Sequence, residues 1–238
     1  MVREPTAFTA FPRVLPVGDA AFTVEFGDRV DVELNRRVHA LDAHLQTHPP
    51  EGLVETVPTY RSLLVIYNPE LVPPTEMRTT LLSLSGKELA AGAEATGRFV
   101  EIPVHYGGEM GPDLKDVAEH CDLDPTEVIR RHTKPTYLVA MLGFAPGFTY
   151  LLGLPDELAT PRLETPRMRV PPGSVGIAGN QTGIYALGTP GGWRIIGRTP
   201  LKLFDPERDD PFEVKAGDRV RFVNAGDVSS AHADHLVG

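Results

Sequence analysis

The stretch from Gly143 to Arg198, GFAPGFTYLLGLPDELATPRLETPRMRVPPGSVGIAGNQTGIYALGTPGGWRIIGR, decides how this chain is read. It holds 11 of the 23 glycines and the only tryptophan, Trp193. A glycine- and proline-rich run of this length is too long for one turn. Its glycines therefore serve several strand junctions, where they supply positive φ or let two backbones approach. From Pro161 to Arg198 every basic residue is arginine (Arg162, Arg167, Arg169, Arg194 and Arg198), and the only acid is Glu164. That segment carries +4 in a chain of net charge −9, which leaves 18 basic against 31 acidic residues, or −13, elsewhere. A barrel with glycine corners explains the glycines, and a solvated rim explains any single arginine. Five arginines together point to an anionic ligand, because guanidinium presents a fixed fork that matches carboxylate or phosphate oxygens.

Working outward, the β-like character continues on both sides of this stretch. Strands are expected at Phe99 to His105, Tyr137 to Leu142, Ser174 to Ala178, Gly183 to Leu187, Arg194 to Gly197 and Arg219 to Asn224. Short helices are expected at Pro112 to His120 and Pro125 to His132, the second opened by Asp124 as N-cap with Pro125 at its first position. Many short strands with one or two short helices predict a closed or nearly closed β-barrel over residues 99–226.

The first 92 residues read differently. Arg13 to Val17, Ala21 to Phe26, Leu53 to Val57 and Tyr60 to Tyr67 have strand character. Val32 to Leu45 and Glu76 to Leu89 have helical spacing, which gives the order β-β-α-β-β-α and predicts an α+β domain with helices on one face. The small, polar run GKELAAGAEATG marks a linker at 93–98, and residues 227–238 read as a loose tail.

Composition narrows the function classes. An acidic balance, with a pI near 5.4, argues against nucleic acid as a partner. With one cysteine, Cys121, there is no intrachain disulfide framework. The start MVREPTAF lacks a signal-like apolar run, and no segment approaches the ~20 apolar residues of a membrane span, so the cytoplasm is the expected location. His44 and His48 share a helix face but suit a helix end better than a metal, and no metal site is predicted. Ser85-Gly86-Lys87 lacks the earlier glycine of a phosphate-binding loop, and Ser174 is not in a nucleophile elbow.

The runs Leu142 to Phe148, Pro161-Arg162, Pro166-Arg167, Val170-Pro171, Gly173-Ser174-Val175, Gly179 to Tyr185, and Pro190 to Trp193 through Gly197 to Pro200 form one set of motifs, with Val57 to Leu63, Tyr106 to Glu109 and Gly111 to Leu114 upstream. Together they resemble the allophanate hydrolase subunit 1 family, which includes the B subunit of bacterial 5-oxoprolinase and the sporulation kinase inhibitor KipI.

The resemblance implies an N-terminal α+β domain followed by a mainly-β, cyclophilin-like barrel. It also implies a component of a heteromeric ATP-dependent amide or lactam hydrolase, most directly a 5-oxoprolinase that converts 5-oxoproline to glutamate. The partners implied are an allophanate hydrolase subunit 2-type protein (the C subunit of 5-oxoprolinase) and a third subunit, with ATP and magnesium used in the complex. The alternatives are a KipI-like inhibitor of a sensor histidine kinase and half of a urea carboxylase-type carboxyltransferase. Phosphorylating the lactam carbonyl oxygen would make water attack feasible, and cations would then hold the substrate carboxylate and the moving phosphoryl charge. On the matching motifs, Arg167 and Arg198 are expected as anion clamps, with backbone amides near Gly147 and Gly192 and the Trp193 side chain in the binding wall. Gln181 and Tyr185 are expected as neutral hydrogen-bonding groups and His132 as a proton carrier.

Overall fold

A computed structural model describes residues 10–87 and 97–226. The tail at 227–238 with His232 and His235, most of the linker at 93–98, and the expected end of the second helix at Leu89 lie outside these described residues. The chain divides into two compact units, Met1–Glu94 and Ala95–Gly238.

In the first unit, β1 (Arg13–Pro16), β2 (Ala21–Glu25), α1 (Val32–Thr47), β3 (Leu53–Pro58), β4 (Ser62–Tyr67) and α2 (Pro74–Ser85) follow one another. The strands form an antiparallel sheet in the order β1-β2-β4-β3. Asp31 caps α1 by accepting the N–H groups of Glu33 and Leu34, and Pro74 opens α2 where its missing N–H costs nothing. Val38, Leu41 and Leu45 on α1, Met77 and Leu81 on α2, and Leu63, Val65 and Tyr67 on β4 bury into one core. Alternation along β4 and the three- and four-residue spacing along α1 are why one face of each element is apolar.

The second unit contains β5 (Phe99–Tyr106), α3 (Leu114–His120), α4 (Pro125–Thr133), β6 (Tyr137–Leu142), β7 (Thr149–Leu152), β8 (Arg167–Val170) and β9 (Ser174–Ala178). These are followed by β10 (Gln181–Ile184), β11 (Thr189–Gly191), β12 (Arg194–Arg198) and β13 (Arg219–Asn224). Seven strands close into a barrel in the order β10-β7-β6-β13-β5-β12-β9, with β13 parallel to β5 and the other pairs antiparallel. The remaining two, β8 and β11, pair only with each other. Ile102, Val104, Val139, Leu151, Val175, Ile177, Ile196 and Phe222 fill the interior, each worth on the order of 1.5–3 kcal/mol of apolar burial.

Three features depart from the sequence expectation. The helix expected at Glu76 to Leu89 ends at Ser85, where Gly86 caps it with its N–H on the Leu82 carbonyl. The strand expected at Gly183 to Leu187 runs instead from Gln181 to Ile184, because a two-residue turn at Gly179-Asn180 sets Gln181 opposite Ala178. The strands β7, β8 and β11 are additions to the expected set; they are short, and all three lie inside the glycine and arginine run. Among the described residues, no helix is long and apolar enough to cross a membrane.

Candidate functional site

The Gly143 to Arg198 stretch builds a second apolar cluster on the outside of the barrel, made of Phe148, Val170, Ala178, Tyr185, Trp193 and Ile195. Its floor is a pair of glycines. Gly176 on β9 and Gly183 on β10 are directly opposed in the strand register. A Cβ on Gly183 would lie 3.0 Å from the Trp193 ring, and one on Gly176 would lie 3.1 Å from Trp193 Cβ. Absence of both side chains leaves a flat patch on which the indole rests. Phe148 stands edge-on to Tyr185 at 4.8 Å and to Trp193 at 5.4 Å, and Phe144 stands edge-on to Phe148 at 5.5 Å.

Phe144 belongs to the Gly143 to Gly147 loop, which with Leu142 and Phe212 lines an open cleft of about 330 Å³. Phe144 is 65% exposed and has φ of 64°, in the left-handed region that ordinary side chains avoid. Gly147 has φ of 75° and is wedged so tightly that a Cβ would lie 2.8 Å from Ala186 and Phe204.

The five arginines are treated very differently by the fold. Arg167 pairs with the carboxylate of Asp113 at 2.6 Å and also donates to the Trp193 carbonyl at 3.5 Å. Arg194 pairs with Asp116 at 3.0 Å, and Arg162 lies 6.0 Å over the Trp193 ring. Two of the island's cations are therefore matched by aspartates at and within α3. Among the described residues Arg198 has no ion pair, and its Nε is buried without a hydrogen-bond partner.

Tyr185 is buried beneath this cluster, and its hydroxyl fills the space a Cβ on Gly191 would take. Burial pushes its phenol pKa up, offset in part by the Trp193 backbone and by Arg162 and Arg167. Tyr150 is likewise raised by burial and lowered in part by Arg162. Gly192 sits beside them with its carbonyl accepting the Leu163 N–H at 2.8 Å.

His132 lies elsewhere, inside the barrel, fully buried and stacked on Phe222 at 4.5 Å. Its hydrogen bonds fix its tautomer. The Thr182 hydroxyl has one proton, which it gives to the Gly176 carbonyl at 3.0 Å, so it accepts from His132 Nε2 at 2.9 Å. His132 Nδ1 then accepts from the Tyr106 hydroxyl at 2.8 Å. Burial lowers the His132 pKa to about 3, so the ring is neutral at ordinary pH.

The structure thus brings Tyr185, Trp193, Gly192 and Arg167 together, with Gly147 adjoining the cluster next to Phe148. Gln181 and Arg198 are far apart: they flank β9 on opposite sides and pair with Ala178 and Ser174 at its two ends, which alone are about 13 Å apart at 3.3 Å per residue. Two residues escape sequence reasoning. Asp113 and Ser174 have no signal beyond their places in the Gly111 to Leu114 and Gly173 to Val175 motifs.

Residues 12–214 match the carboxyltransferase domain, subdomain C and D. The chain is 44% identical over 216 residues to the B subunit of the Bacillus subtilis 5-oxoprolinase, covering 87% of this chain and 90% of that one. It is similar to the crystal structure of TTHA0988 with a TM-score of 0.75 and 41% identity, covering 86% of this chain and 40% of that longer one. The Kluyveromyces lactis urea amidolyase shares the fold at a TM-score of 0.71 and 20% identity, with 93% of this chain and 15% of that one covered.

Proposed function

Since the chain belongs to the family of the carboxyltransferase domain, subdomain C and D, and is similar across most of its length to the B subunit of 5-oxoprolinase, we propose that it is the corresponding non-autonomous component of an ATP-dependent 5-oxoprolinase. The observation that carries this reading is the make-up of the outer barrel face. Aromatic rings converge there with Arg162 over Trp193, and Arg198 has no ion pair among the described residues, which suits holding a small anionic amide. The buried histidine has both ring nitrogens hydrogen-bonded inside the barrel, so its part is to support the wall of the site rather than to touch substrate.

In this reading the complex uses ATP with magnesium to phosphorylate the lactam carbonyl oxygen. Water then adds to that carbon, the ring C–N bond breaks as the nitrogen takes a proton and leaves as the amine, and a second water displaces phosphate from the resulting acyl phosphate to give glutamate. Arg198 and the amides near Gly147 and Gly192 hold anionic oxygens. Tyr185 and Gln181 are neutral hydrogen-bonding groups at separate points of the face. Arg167 acts as a positioning residue through Asp113 and Trp193, and His132 acts through its neighbour Thr182. The barrel is of the cyclophilin-like type, the companions are a subunit 2-type protein (the C subunit) and a third subunit, and the complex works in the cytoplasm.

The test is reconstitution. The chain alone, and the chain with its companion subunits, are assayed for 5-oxoproline-dependent ATP hydrolysis and glutamate release. Turnover only in the mixture supports the proposal. A mixture that stays inactive while the chain binds a sensor histidine kinase tightly would replace it with the KipI-like reading.

A further inference from the structure

Arg198 closes β12, and the register sets it opposite Ser174 on one side and His105 on the other. Directly opposed residues of antiparallel strands project from the same face. Val175 and Val104 point into the barrel core and the bulge at Ile196 sets Gly197 opposite Val175, so the adjacent residues Ser174, Arg198 and His105 form a row across β9, β12 and β5 on the outside. Nothing in that row is acidic. Arg167 and Arg194, by contrast, each have an aspartate of their own.

Two atoms of the row are buried with no partner: Arg198 Nε and Ser174 Oγ, the latter on a residue that is 0% exposed. Unpaired buried polar atoms are uncommon in folded proteins, and here two fall on residues that face each other. Backbone amides around them are already engaged. Gly173 donates to the Tyr185 carbonyl at 2.6 Å, Thr199 to the Gly173 carbonyl at 2.9 Å, and Tyr185 to the Ser174 carbonyl at 2.9 Å. What remains is a guanidinium N–H and a hydroxyl that lack an acceptor, on a row whose other members are the half-buried Arg198 side chain and the exposed His105.

The geometry points to an oxyanion site in which Arg198 Nε–H and Ser174 Oγ–H donate to the oxygen of a carboxylate or phosphoryl group, with His105 at its rim. Charge-assisted donors of this kind bind such oxygens about twice as strongly as neutral ones. This assignment rests on the 5-oxoprolinase reading, whose reaction brings both classes of anion: the carboxylate of 5-oxoproline and the phosphoryl group of ATP.

The experiment titrates the full chain, and the chain assembled with its companions, with inorganic phosphate and separately with 5-oxoproline by calorimetry. Binding of one ligand should weaken about tenfold or more in Arg198→Gln and about three- to tenfold in Ser174→Ala. Arg198→Lys, which keeps the charge and the fold but not Nε, should fall between wild type and Arg198→Gln. Arg36→Gln, an exposed arginine of α1 outside the island, should bind as wild type. Phosphate binding alone identifies a phosphoryl subsite, and 5-oxoproline binding alone identifies a substrate-carboxylate subsite. Absence of binding by the wild type in both forms, or wild-type affinity in both Arg198→Gln and Ser174→Ala, overturns the site. Turnover of the assembled complex, followed in parallel, separates the two ideas: an active complex with no anion bound at Arg198 removes this site and leaves the enzyme reading standing.

Discussion

Arg167 and Asp113 are joined at 2.6 Å, and the second oxygen of the same carboxylate accepts the Ile195 N–H at 2.6 Å, so one aspartate ties β8 to β12. The Asp113 side chain is 6% exposed and that of Arg167 30%. Removing the guanidinium strands a buried charge, whereas removing the carboxylate leaves an arginine that solvent reaches. Arg167→Gln is expected to cost about 2–3 kcal/mol in urea unfolding, discounted for the exposed arginine. The double variant Arg167→Gln with Asp113→Asn should cost less than the sum of the singles by about 1–3 kcal/mol. Strict additivity would show that the pair is not coupled.

A methyl group under the indole should be felt at once. In Gly183→Ala the new Cβ would meet the Thr149 carbonyl at 2.8 Å and the Trp193 ring at 3.0 Å. The expected loss is about 1–3 kcal/mol, with Trp193 emission shifted to the red as the ring is lifted toward water. Because Trp193 is the only tryptophan, fluorescence reports on this one site, and unchanged emission with unchanged stability would count against the packing described.

His132 makes acid stability a measurable property of the barrel. Its folded pKa, about 3, is below the unfolded value of about 6.5, so the unfolded chain binds the extra proton between these limits. The stabilisation is full above pH ~6.5 and is lost as pH falls toward 3, by up to about 1.4 kcal/mol per pH unit. Urea midpoints from pH 7 to 4 should therefore drop more steeply for wild type than for His132→Gln. Parallel profiles would mean that the ring titrates normally.

Phe144 holds a left-handed backbone conformation while exposing most of its ring. Phe144→Gly should keep or raise the melting temperature, since relief of the strain is worth about 1 kcal/mol. If the loop's aromatic edge contributes to the site, the same variant lowers turnover of the assembled complex. A lower melting temperature would show that the ring's contact with Phe148 outweighs the strain.

Much of the fold is legible in local signals. Asp124 before Pro125, the Asn68-Pro69 stop after YRSLLVIY and the apolar spacing of Val38, Leu41 and Leu45 each act within one element, and each places that element correctly. Elements defined only by distant partners are harder. Gln181 and Thr182 look like loop residues until the Gly179-Asn180 turn folds them onto Ala178 and Ile177. The same holds for the site. Arginine content is visible as a charge island, but its apportioning is not, since Asp113 is 54 residues from Arg167 along the chain. The enclosure of His132 depends likewise on Phe222, contributed by the last barrel strand.

One peptide unit belongs to two layers at once. The Gly176 carbonyl is the last acceptor of the hydrogen-bonded chain that starts at Tyr106 and crosses the interior through His132 and Thr182, while its α-carbon is the ground on which Trp193 lies. Barrel interior and outer face therefore cannot be tuned independently: a change that rotates this peptide to suit one layer tilts the support of the other. The residue with the smallest side chain is the joint through which the two are held in common alignment.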